Sequence, residues 1–350
     1  MESLRRALAQ SLERGQFSGA PARALERAWR TWSARRVVRP LRVPENVIAI
    51  AVGGATLGGS GKTPLALACA RFALESCRGK VALIGHAYRA APRMARAVTP
   101  DDDASVVGDE ALLCARELAR ARASGKAPPD SYLDVIVAPT RQRAVDFAIA
   151  RGARILVLDG VLQIAPRRAD LALLALDADA PWGSSACPPC GDLKAPAPAL
   201  LAACDRVVTL SRDSVRSRGA ILQAPSGGPP RAADDARTPV PYEELARMKL
   251  GLFTALARPE RVVRWLQSRG VFPGAVIHAS DHGTVSAQAL ASAAATHRID
   301  AWVTTHKCSI HMRNSSLLPV YVLEHRVELD LDLRQTFRSV IALRARSEAT

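Results

Sequence analysis

A short glycine-rich segment between a strand-like run and a helix-like run constrains the fold of this chain more than any other feature. Residues 47–52 are continuously apolar, residues 56–64 read Thr-Leu-Gly-Gly-Ser-Gly-Lys-Thr-Pro, and residues 65–70 are rich in Leu and Ala. Strand, glycine loop, Gly-Lys-Thr and helix in this order are typical of a P-loop, whose backbone amides and helix N-terminus surround phosphate groups. The segment therefore predicts binding of a nucleoside triphosphate.

The predicted phosphate-binding residues are consecutive positions of this loop: Thr56, Leu57, Gly58, Gly59, Ser60, Gly61, Lys62 and Thr63. We expect Lys62 to reach the β- and γ-phosphates and the hydroxyl of Thr63 to bind Mg²⁺. Thr56 stands where the usual pattern has its first glycine, so a strict pattern would not match. A flexible glycine-rich turn without a ligand is the alternative, and the flanking strand and helix disfavour it.

Basic residues dominate the chain and are concentrated at its N-terminus. The formal net charge is +15, and residues 1–42 contain ten arginines and three glutamates, a net charge of +7. Nucleic acid, anionic lipid and phosphorylated substrates are all suitable partners for such a charge. Residues 3–12 and 21–38 are helical in pattern, with Leu and Trp placed among the arginines. They predict either a helix on an anionic membrane surface or a packed helix with a solvated basic face.

Cysteine usage and hydropathy indicate the compartment. The seven cysteines are scattered and odd in number, which is typical of reduced intracellular thiols. Cys187 and Cys190 are the one close pair, and a loop turn is favoured over a redox or metal role because no second pair accompanies them. No apolar run approaches the roughly 20 residues needed to span a bilayer, and no signal sequence is visible. We therefore expect a cytoplasmic protein that can still lie on a membrane.

Apolar runs alternate with helical stretches along most of the chain, which predicts a parallel α/β sheet covered on both faces. The predicted strands lie at residues 47–52, 81–84, 135–137, 155–158, 171–176 and 206–210, and the helices between them at 110–121 and 141–150. A second series follows, with strands at 249–254, 275–278 and 301–304 and helices at 258–269 and 285–297. The predicted domains are an N-terminal helical segment (1–42), a P-loop domain (43–211), a linker (212–242) and a smaller C-terminal α/β domain (243–350).

Three further groups of residues are candidates for chemistry. Asp159 directly follows the strand at 155–158, which is the position of a Walker-B aspartate that binds Mg²⁺, although an aspartate there is more often a turn residue. Asp109 and Glu110 begin a predicted helix, where they either cap it or assist a metal and a hydroxyl proton. His282, beside Asp281 after the strand at 275–278, is a candidate base.

The order of these motifs resembles the tetraacyldisaccharide 4'-kinase family, which phosphorylates the 4'-hydroxyl of a membrane-embedded glucosamine disaccharide during lipid A and lipopolysaccharide biosynthesis. The family pattern V-G-G-T-G-K-T-P corresponds to residues 57–64, G-D-E to 108–110, D-D-G-L-Q to 159–163 and R-D to Arg168 and Asp170. A D-H pair corresponds to Asp281 and His282. The resemblance runs from about residue 1 to about residue 325 and implies a P-loop NTPase-like sheet flanked by helices, with a smaller C-terminal α/β domain and a basic amphipathic N-terminal helix.

The resemblance also implies a mechanism with ATP and Mg²⁺. Lys62 and Thr63 would bind the ATP phosphates, and Thr63, Asp159 and Glu110 would form the metal site. Asp109 and His282 would activate the sugar hydroxyl. The N-terminal helix would bind the anionic cytoplasmic face of the inner membrane, where the lipid disaccharide substrate lies, with no nucleic acid and no obligate protein partner.

The chain departs from the family pattern in four places. Gly160 replaces the second aspartate of D-D-G, residues 85–89 retain only the tyrosine of S-R-G-Y-G, Lys194 replaces the arginine of G-P-L-R-E, and residues 305–308 differ from T-E-K-D. A catalytically impaired or non-lipid nucleotide-binding protein is therefore the alternative. A GTPase is disfavoured because no N-K-x-D-like segment is present. A nucleic-acid-binding protein is disfavoured because aromatic residues make up only 4% of the chain.

Overall fold

The computed structural model describes residues 11–76, 79–85, 87, 90–123, 128, 130–211, 215–222, 240–256, 259–279, 285–312 and 316–347. The described chain divides into two compact units. We name them the P-loop unit, from segments 8–215 and 327–350, and the second unit, from segment 216–326.

A parallel sheet forms the centre of the P-loop unit. The strands of this unit are β1 (Val38–Pro40), β2 (Ile48–Gly54), β3 (Lys80–Ile84), β4 (Arg96–Ala97), β5 (Tyr132–Val137), β6 (Ala153–Asp159), β7 (Gln163–Ala165), β8 (Leu171–Asp177) and β9 (Arg206–Leu210). Seven of them form one sheet in the order β4-β5-β3-β6-β2-β8-β9, while β1 and β7 pair separately. Within the large sheet all neighbours are parallel except β4 and β5. The predicted α/β fold is confirmed.

Helices cover this sheet because its central strands are apolar throughout. Every residue of β2 is buried, as are all but one of the residues of β6 and all but one of β8. The helices of this part of the unit are α1 (Ala20–Arg35), α2 (Lys62–Ser76), α3 (Ala104–Val107), α4 (Asp109–Ala123), α5 (Arg141–Ala150) and α6 (Ala197–Ala203). Residues buried on both faces of a strand are what a parallel sheet with helical crossovers requires. The carboxyl ends of β2 and β6 lie side by side, with Val52 in register with Asp159.

The second unit is also built on a sheet of mainly parallel strands. Its strands are β10 (Val215–Leu222), β11 (Leu250–Thr254), β12 (Ala275–His278), β13 (Ala301–Thr305) and β14 (Val320–Val327), in the order β10-β14-β13-β11-β12. Its helices are α7 (Tyr242–Leu245), α8 (Pro259–Gln267), α9 (Ala287–His297) and α10 (His306–Ser309). The strand pairs from β14 through β12 are parallel. Leu252 and Phe253 of β11 are fully buried, so this sheet has its own core.

The residue ranges of the two units differ from those of the domains predicted from the sequence. Part of the segment interpreted as a linker, residues 212–242, forms β10 at the edge of the second sheet. The last helix, α11 (Leu331–Ser347), belongs to the P-loop unit, whereas residues 243–350 were assigned to one C-terminal domain. The physical reason is burial: Phe337 is fully buried and packs edge-to-face on Phe72 of α2, with ring centroids 5.4 Å apart.

Helix α1 packs against the P-loop unit through one face. Trp29 donates from Nε1 to the carbonyl of Lys194 at 3.4 Å, and Glu26 accepts from the amide of Cys187 at 3.2 Å. On the outward side, Leu25 is 62% exposed and Trp32 is 49% exposed. The predicted helix at 21–38 is therefore present but ends at Arg35, and the one predicted at residues 3–12 lies largely outside the described residues. Within the described part of the chain no helix is both long and apolar enough to cross a bilayer.

Candidate active site

The P-loop connects β2 to α2 in a conformation that only glycine permits at two positions. Gly59 and Gly61 have φ angles of 73° and 79°, in the left-handed region. A Cβ on Gly61 would also lie 2.3 Å from Cδ1 of Leu210. Both positions therefore favour glycine for backbone direction, and Gly61 is in addition packed closely against Leu210. Helix α2 begins at Lys62, so its unpaired amides face the loop, as phosphate binding requires.

Thr56, in the position usually held by glycine, closes the start of the loop on itself. Its Oγ1 donates to the carbonyl of Gly58 at 2.6 Å. The loop is also held from outside, because Thr56 forms an antiparallel bridge with Leu193 and the amide of Leu57 donates to the carbonyl of Asp192 at 2.9 Å. The segment around residue 193 is thus a second wall of the loop.

Thr63 and Asp159 meet below the loop, as the sequence predicts. Thr63 donates from Oγ1 to Oδ2 of Asp159 at 2.8 Å, and both side chains are buried. Oδ1 of Asp159 is also buried and has no hydrogen-bond partner in the described structure. Burial raises the pKa of Asp159, while the ammonium of Lys62 lowers it. A hydroxyl and a carboxylate with an unpartnered buried oxygen fit a hard cation such as Mg²⁺, which binds oxygen ligands.

The two acidic residues at the start of α4 are placed differently. Glu110 is near enough to Asp159 for its charge to raise the pKa of that carboxyl. Asp109 is buried, and its Oδ1 accepts from the amide of Glu110 at 2.9 Å. This bond fixes the orientation of the Asp109 carboxylate at the helix N-terminus. Asp281 and His282 lie outside the described residues, so the predicted pairing of Asp109 with His282 stays a prediction.

Sequence reasoning noted Lys194 only as a departure from the family pattern and missed the cations beside it, Arg39 and Arg141. Arg141 is the first residue of α5, Arg39 lies on β1, and Lys194 follows Leu193. Burial and the charges of Lys62, Arg39 and Arg141 together lower the pKa of Lys194 to about 8, although Asp159 raises it. Burial also lowers the pKa of Arg141. The charge of Asp159 raises this pKa, and the charge of Arg39 lowers it. Single basic residues far apart in sequence carry no local signal, so only the fold reveals that their charges interact.

Cys187 and Cys190 form a turn in the same region, as expected from the sequence. The amide of Gly191 donates to the carbonyl of Cys187 at 3.0 Å, and both cysteines are buried as free thiols. Burial raises the pKa of Cys187 to about 11, so this thiol is not activated.

Comparisons with known proteins agree with this geometry. The sequence model of the family described as LpxK, tetraacyldisaccharide-1-P 4'-kinase, matches residues 20–342. A tetraacyldisaccharide 4'-kinase of Nitrobacter winogradskyi is 31% identical over 318 residues, covering 88% of each chain. One of Methylobacterium sp. is 30% identical over 324 residues, covering 91% of each chain.

A solved structure shares the fold. The crystal structure of LpxK from Aquifex aeolicus, described as an apo form in complex with ATP, aligns with a TM-score of 0.63. The alignment covers 97% of this chain and 99% of that chain at 16% sequence identity. The sequence matches extend over the P-loop, the start of α4 and Asp159, the elements that form the site described above. The chain therefore belongs to the tetraacyldisaccharide-1-phosphate 4'-kinase family.

Proposed function

We propose that this protein transfers the γ-phosphoryl group of ATP to the 4'-hydroxyl of a tetraacylated glucosamine disaccharide 1-phosphate in lipid A biosynthesis. The observation that carries the proposal is the buried contact between Thr63 and Asp159 directly below the P-loop. It joins the two elements that a phosphotransferase of this class uses to hold a nucleotide and its metal. Family membership supplies the acceptor and does not favour a non-lipid nucleotide-binding protein.

The P-loop is the proposed ATP site, formed by residues 56–63. The backbone amides of the loop and of the first turn of α2 would bind the phosphates, and Lys62 would neutralise the β- and γ-phosphates. Ser60 supports this assignment because its Oγ is buried without a hydrogen-bond partner in the described structure. A buried hydroxyl of this kind is available to a phosphate oxygen.

Mg²⁺ fits beside the phosphates. Thr63 and Asp159 would hold it, with Glu110 near enough to assist through its charge. When bound, the ion would neutralise charge on the transferred phosphoryl group. Asp159 needs to be ionised for this role, and the nearby ammonium of Lys62 favours that form.

Asp109 is the proposed proton acceptor, together with His282. The oxygen of the sugar hydroxyl would form a bond to the γ-phosphorus, the bond from that phosphorus to the bridging oxygen would break, and ADP would leave. The hydroxyl proton would pass to the Asp109 carboxylate, whose orientation is fixed by the amide of Glu110. His282 would orient or relay this proton.

The lipid acceptor requires that the site be close to a membrane surface. Helix α1 is held on the P-loop unit by Trp29 and Glu26 and presents Leu25 and Trp32 to solvent among its arginines. We propose that this exposed face lies on the anionic cytoplasmic face of the inner membrane.

The test is a kinase assay with the full-length protein, ATP, Mg²⁺ and the disaccharide 1-phosphate lipid in detergent micelles. We expect a 4'-phosphorylated product, and a loss of turnover of about 100-fold or more in Asp109→Asn because general-base catalysis contributes on that scale. Asp130→Asn, which removes a carboxylate from an exposed residue, is the matched control and should keep full turnover. Absence of product in every detergent would overturn the proposed reaction, and normal turnover of Asp109→Asn would overturn the role of Asp109.

A further inference from the structure

Three cations next to the P-loop have no role in the nucleotide and metal site described above. Arg39 is exposed on β1, Arg141 begins α5, and Lys194 lies on the segment beside the P-loop. They act on one another, since the charges of Arg39 and Arg141 both lower the pKa of Lys194. Like charges placed close together are unfavourable unless an anion binds between them. This cluster therefore requires an explanation.

The guanidinium of Arg141 points to the missing ligand. Its Nη1 is buried and has no hydrogen-bond partner in the described structure. A buried charged donor without a partner destabilises a fold, and such groups are retained in proteins where a ligand supplies the partner. The planar fork of arginine matches a phosphate group, which can accept two parallel hydrogen bonds from it. Arg141 is therefore suited to bind a phosphate oxygen.

Gly160 provides space for that oxygen. A Cβ built on Gly160 would lie 3.0 Å from Nη2 of Arg141 and 3.9 Å from Cε of Lys62. Gly160 thus lies between the two side chains, and no side chain of its own fills the space between them. Gly160 stands where the family pattern D-D-G has its second aspartate. An aspartate at this position would place a carboxylate against Arg141. In this chain the arginine is left for another anion.

The charge balance supports the same conclusion. Asp159 is the carboxylate that faces these cations, and its Oδ2 is already bonded to Thr63. Lys194 reaches towards the carbonyl of Gly160 at 3.5 Å, so its ammonium also faces the space beside Gly160. The three cations therefore outnumber the carboxylate whose charge acts on them.

We propose that Arg141, with Arg39 and Lys194 beside it, forms an anion subsite that binds a phosphoryl group in the space beside Gly160, between Arg141 and Lys62. The inference rests on the proposed function, because that function supplies two groups of this chemistry. One is the γ-phosphate of ATP, and the other is the 1-phosphate of the acceptor. Both are phosphate monoester or anhydride dianions, so the experiment has to distinguish them.

Nucleotide binding tests the first source. The full-length protein with Mg²⁺ is titrated calorimetrically with ADP and with the β,γ-imido analogue of ATP, in the absence of acceptor. If the subsite binds the γ-phosphate, Arg141→Met lowers the affinity for the analogue by about tenfold or more, because a charge-assisted bidentate contact is lost. The affinity for ADP should stay unchanged. Arg141→Lys should restore part of the affinity for the analogue.

Acceptor binding tests the second source. Glucosamine 1-phosphate is used as a water-soluble probe, with glucosamine as its uncharged counterpart, on the ADP-bound protein. If the subsite binds the 1-phosphate, Arg141→Met lowers the affinity for glucosamine 1-phosphate by about tenfold and does not change the affinity for either nucleotide.

A second pair of variants keeps the proposal testable if Arg141→Met does not fold. Gly160→Asp places a carboxylate against Arg141, and Gly160→Ala imposes the same backbone strain at φ 74° without the charge. We expect Gly160→Asp to lower the affinity for the same ligand that Arg141→Met affects. The loss of affinity should be larger for Gly160→Asp than for Gly160→Ala. These measurements need no turnover, so they are independent of whether the kinase reaction itself is confirmed.

The thermal stability of the ligand-free protein separates binding from a structural role. Because Nη1 of Arg141 is buried without a partner among the described residues, Arg141→Met should not lower the melting temperature. The proposal is overturned if Arg141→Met and Gly160→Asp both leave the analogue and glucosamine 1-phosphate bound as tightly as in the wild type, or if Arg141→Met lowers only the melting temperature.

Discussion

The burial of Asp159 disfavours its ionised form, whereas the proposed binding of Mg²⁺ requires that form. Its carboxylate is buried, one oxygen accepts a hydrogen bond from Thr63, and the other has no partner in the described structure. Burial raises the pKa of Asp159, which means that the folded protein disfavours the ionised form relative to water. A bound cation would remove this penalty. The ligand-free fold therefore bears a cost that Mg²⁺ and ATP together would offset.

Asp159→Asn separates the two effects. Asparagine can still accept the Thr63 hydrogen bond but carries no charge, so we expect the ligand-free protein to be as stable as the wild type or more stable by about 1 kcal/mol. The stabilisation that Mg²⁺ and ATP give to the wild type should disappear, because the cation loses its charged ligand. Thermal melting with and without Mg²⁺ and ATP measures both, with Asp130→Asn as the control. A variant that still gains the full stabilisation would show that Asp159 does not hold the metal.

Lys194 predicts a pH dependence of anion binding. Its pKa is about 8, lowered by burial and by the charges of Lys62, Arg39 and Arg141, while Asp159 raises it. The ammonium is therefore charged below pH 8 and loses its proton above it, so affinity for the β,γ-imido analogue should fall as the pH rises through 8.

Lys194→Arg is the matched variant for this prediction, since arginine stays charged throughout this range. Calorimetric titrations on both sides of pH 8 should show a weaker pH dependence for Lys194→Arg than for the wild type. Equal pH profiles for the two proteins would show that the titration of Lys194 does not affect binding.

The parts of the site differ in how far they could be predicted. Lys62 and Thr63 lie within one short motif, and Asp159 ends an apolar strand, so local patterns singled out all three. The structure brings Thr63 and Asp159 into contact, and the binding roles of the three residues stay predictions. Arg39 and Arg141 come from separate parts of the chain and have no spacing that marks them. Arg141 follows β5 in the large sheet, whereas Arg39 lies on β1, which pairs with β7 in a separate sheet, so their interaction depends on how the two sheets are arranged. No periodicity encodes that arrangement.

Helix α1 shows how one element can serve the fold and a surface at once. Its inner face is fixed by Trp29 and Glu26, whereas Leu25 and Trp32 are largely outside the core. Arg36 lies over the ring of Trp32, 4.6 Å from its centroid. An aromatic ring next to arginine is well suited to the boundary between lipid headgroups and acyl chains. The alternatives that the sequence left open, docking on the domain and contact with a membrane, are therefore compatible.

Replacing the outer face should affect membrane binding and leave the fold intact. We expect Trp32→Ala to lower the affinity for anionic phospholipid vesicles, measured by sedimentation, by about 30-fold, because burial of one large apolar side chain contributes roughly 2 kcal/mol. Its melting temperature should match the wild type. Trp29→Ala is the comparison on the inner face and should lower the melting temperature instead, since it loses packing on the P-loop unit. Unchanged vesicle binding by Trp32→Ala would contradict the proposed membrane face.

Most of the elements that sequence patterns predicted have buried apolar runs. The six strands predicted in the P-loop unit all occur; five of them are mostly buried, whereas β9 (206–210) is an edge strand without a buried residue. The short strands β1, β4 and β7 were not predicted. β1 and β4 are two or three residues long and are not buried, so no apolar run marks them. Strand β10 was interpreted as linker because its segment is rich in Ser and Arg.

At the scale of the whole molecule, the chain leaves the P-loop unit after β9 and returns to it for its last helix. Arg71 of α2 donates to the carbonyl of Val327 at 2.8 Å, and Arg344 of α11 pairs with Asp170 at 2.7 Å. Asp170 also accepts from the amide of Ala49 at 2.8 Å, at the start of β2. The C-terminal helix is thereby tied to the same strand that leads into the P-loop. Sequence alone assigned residues 243–350 to the second domain without predicting this helix, because adjacency along the chain was the only guide.

Phe337→Ala tests whether α11 stabilises the nucleotide site from this distance. Phe337 is fully buried and packs on Phe72 of α2, the helix that begins at the P-loop, so its truncation should cost about 3–5 kcal/mol of unfolding free energy. Leu343→Ala is the matched control on the same helix, because Leu343 is 68% exposed and its loss should change stability by less than about 0.5 kcal/mol. The measurement is the urea concentration at which binding of the β,γ-imido analogue is lost. A large decrease for Phe337→Ala alone would show that the end of the chain holds the P-loop unit together, and equal values for the two variants would show that it does not.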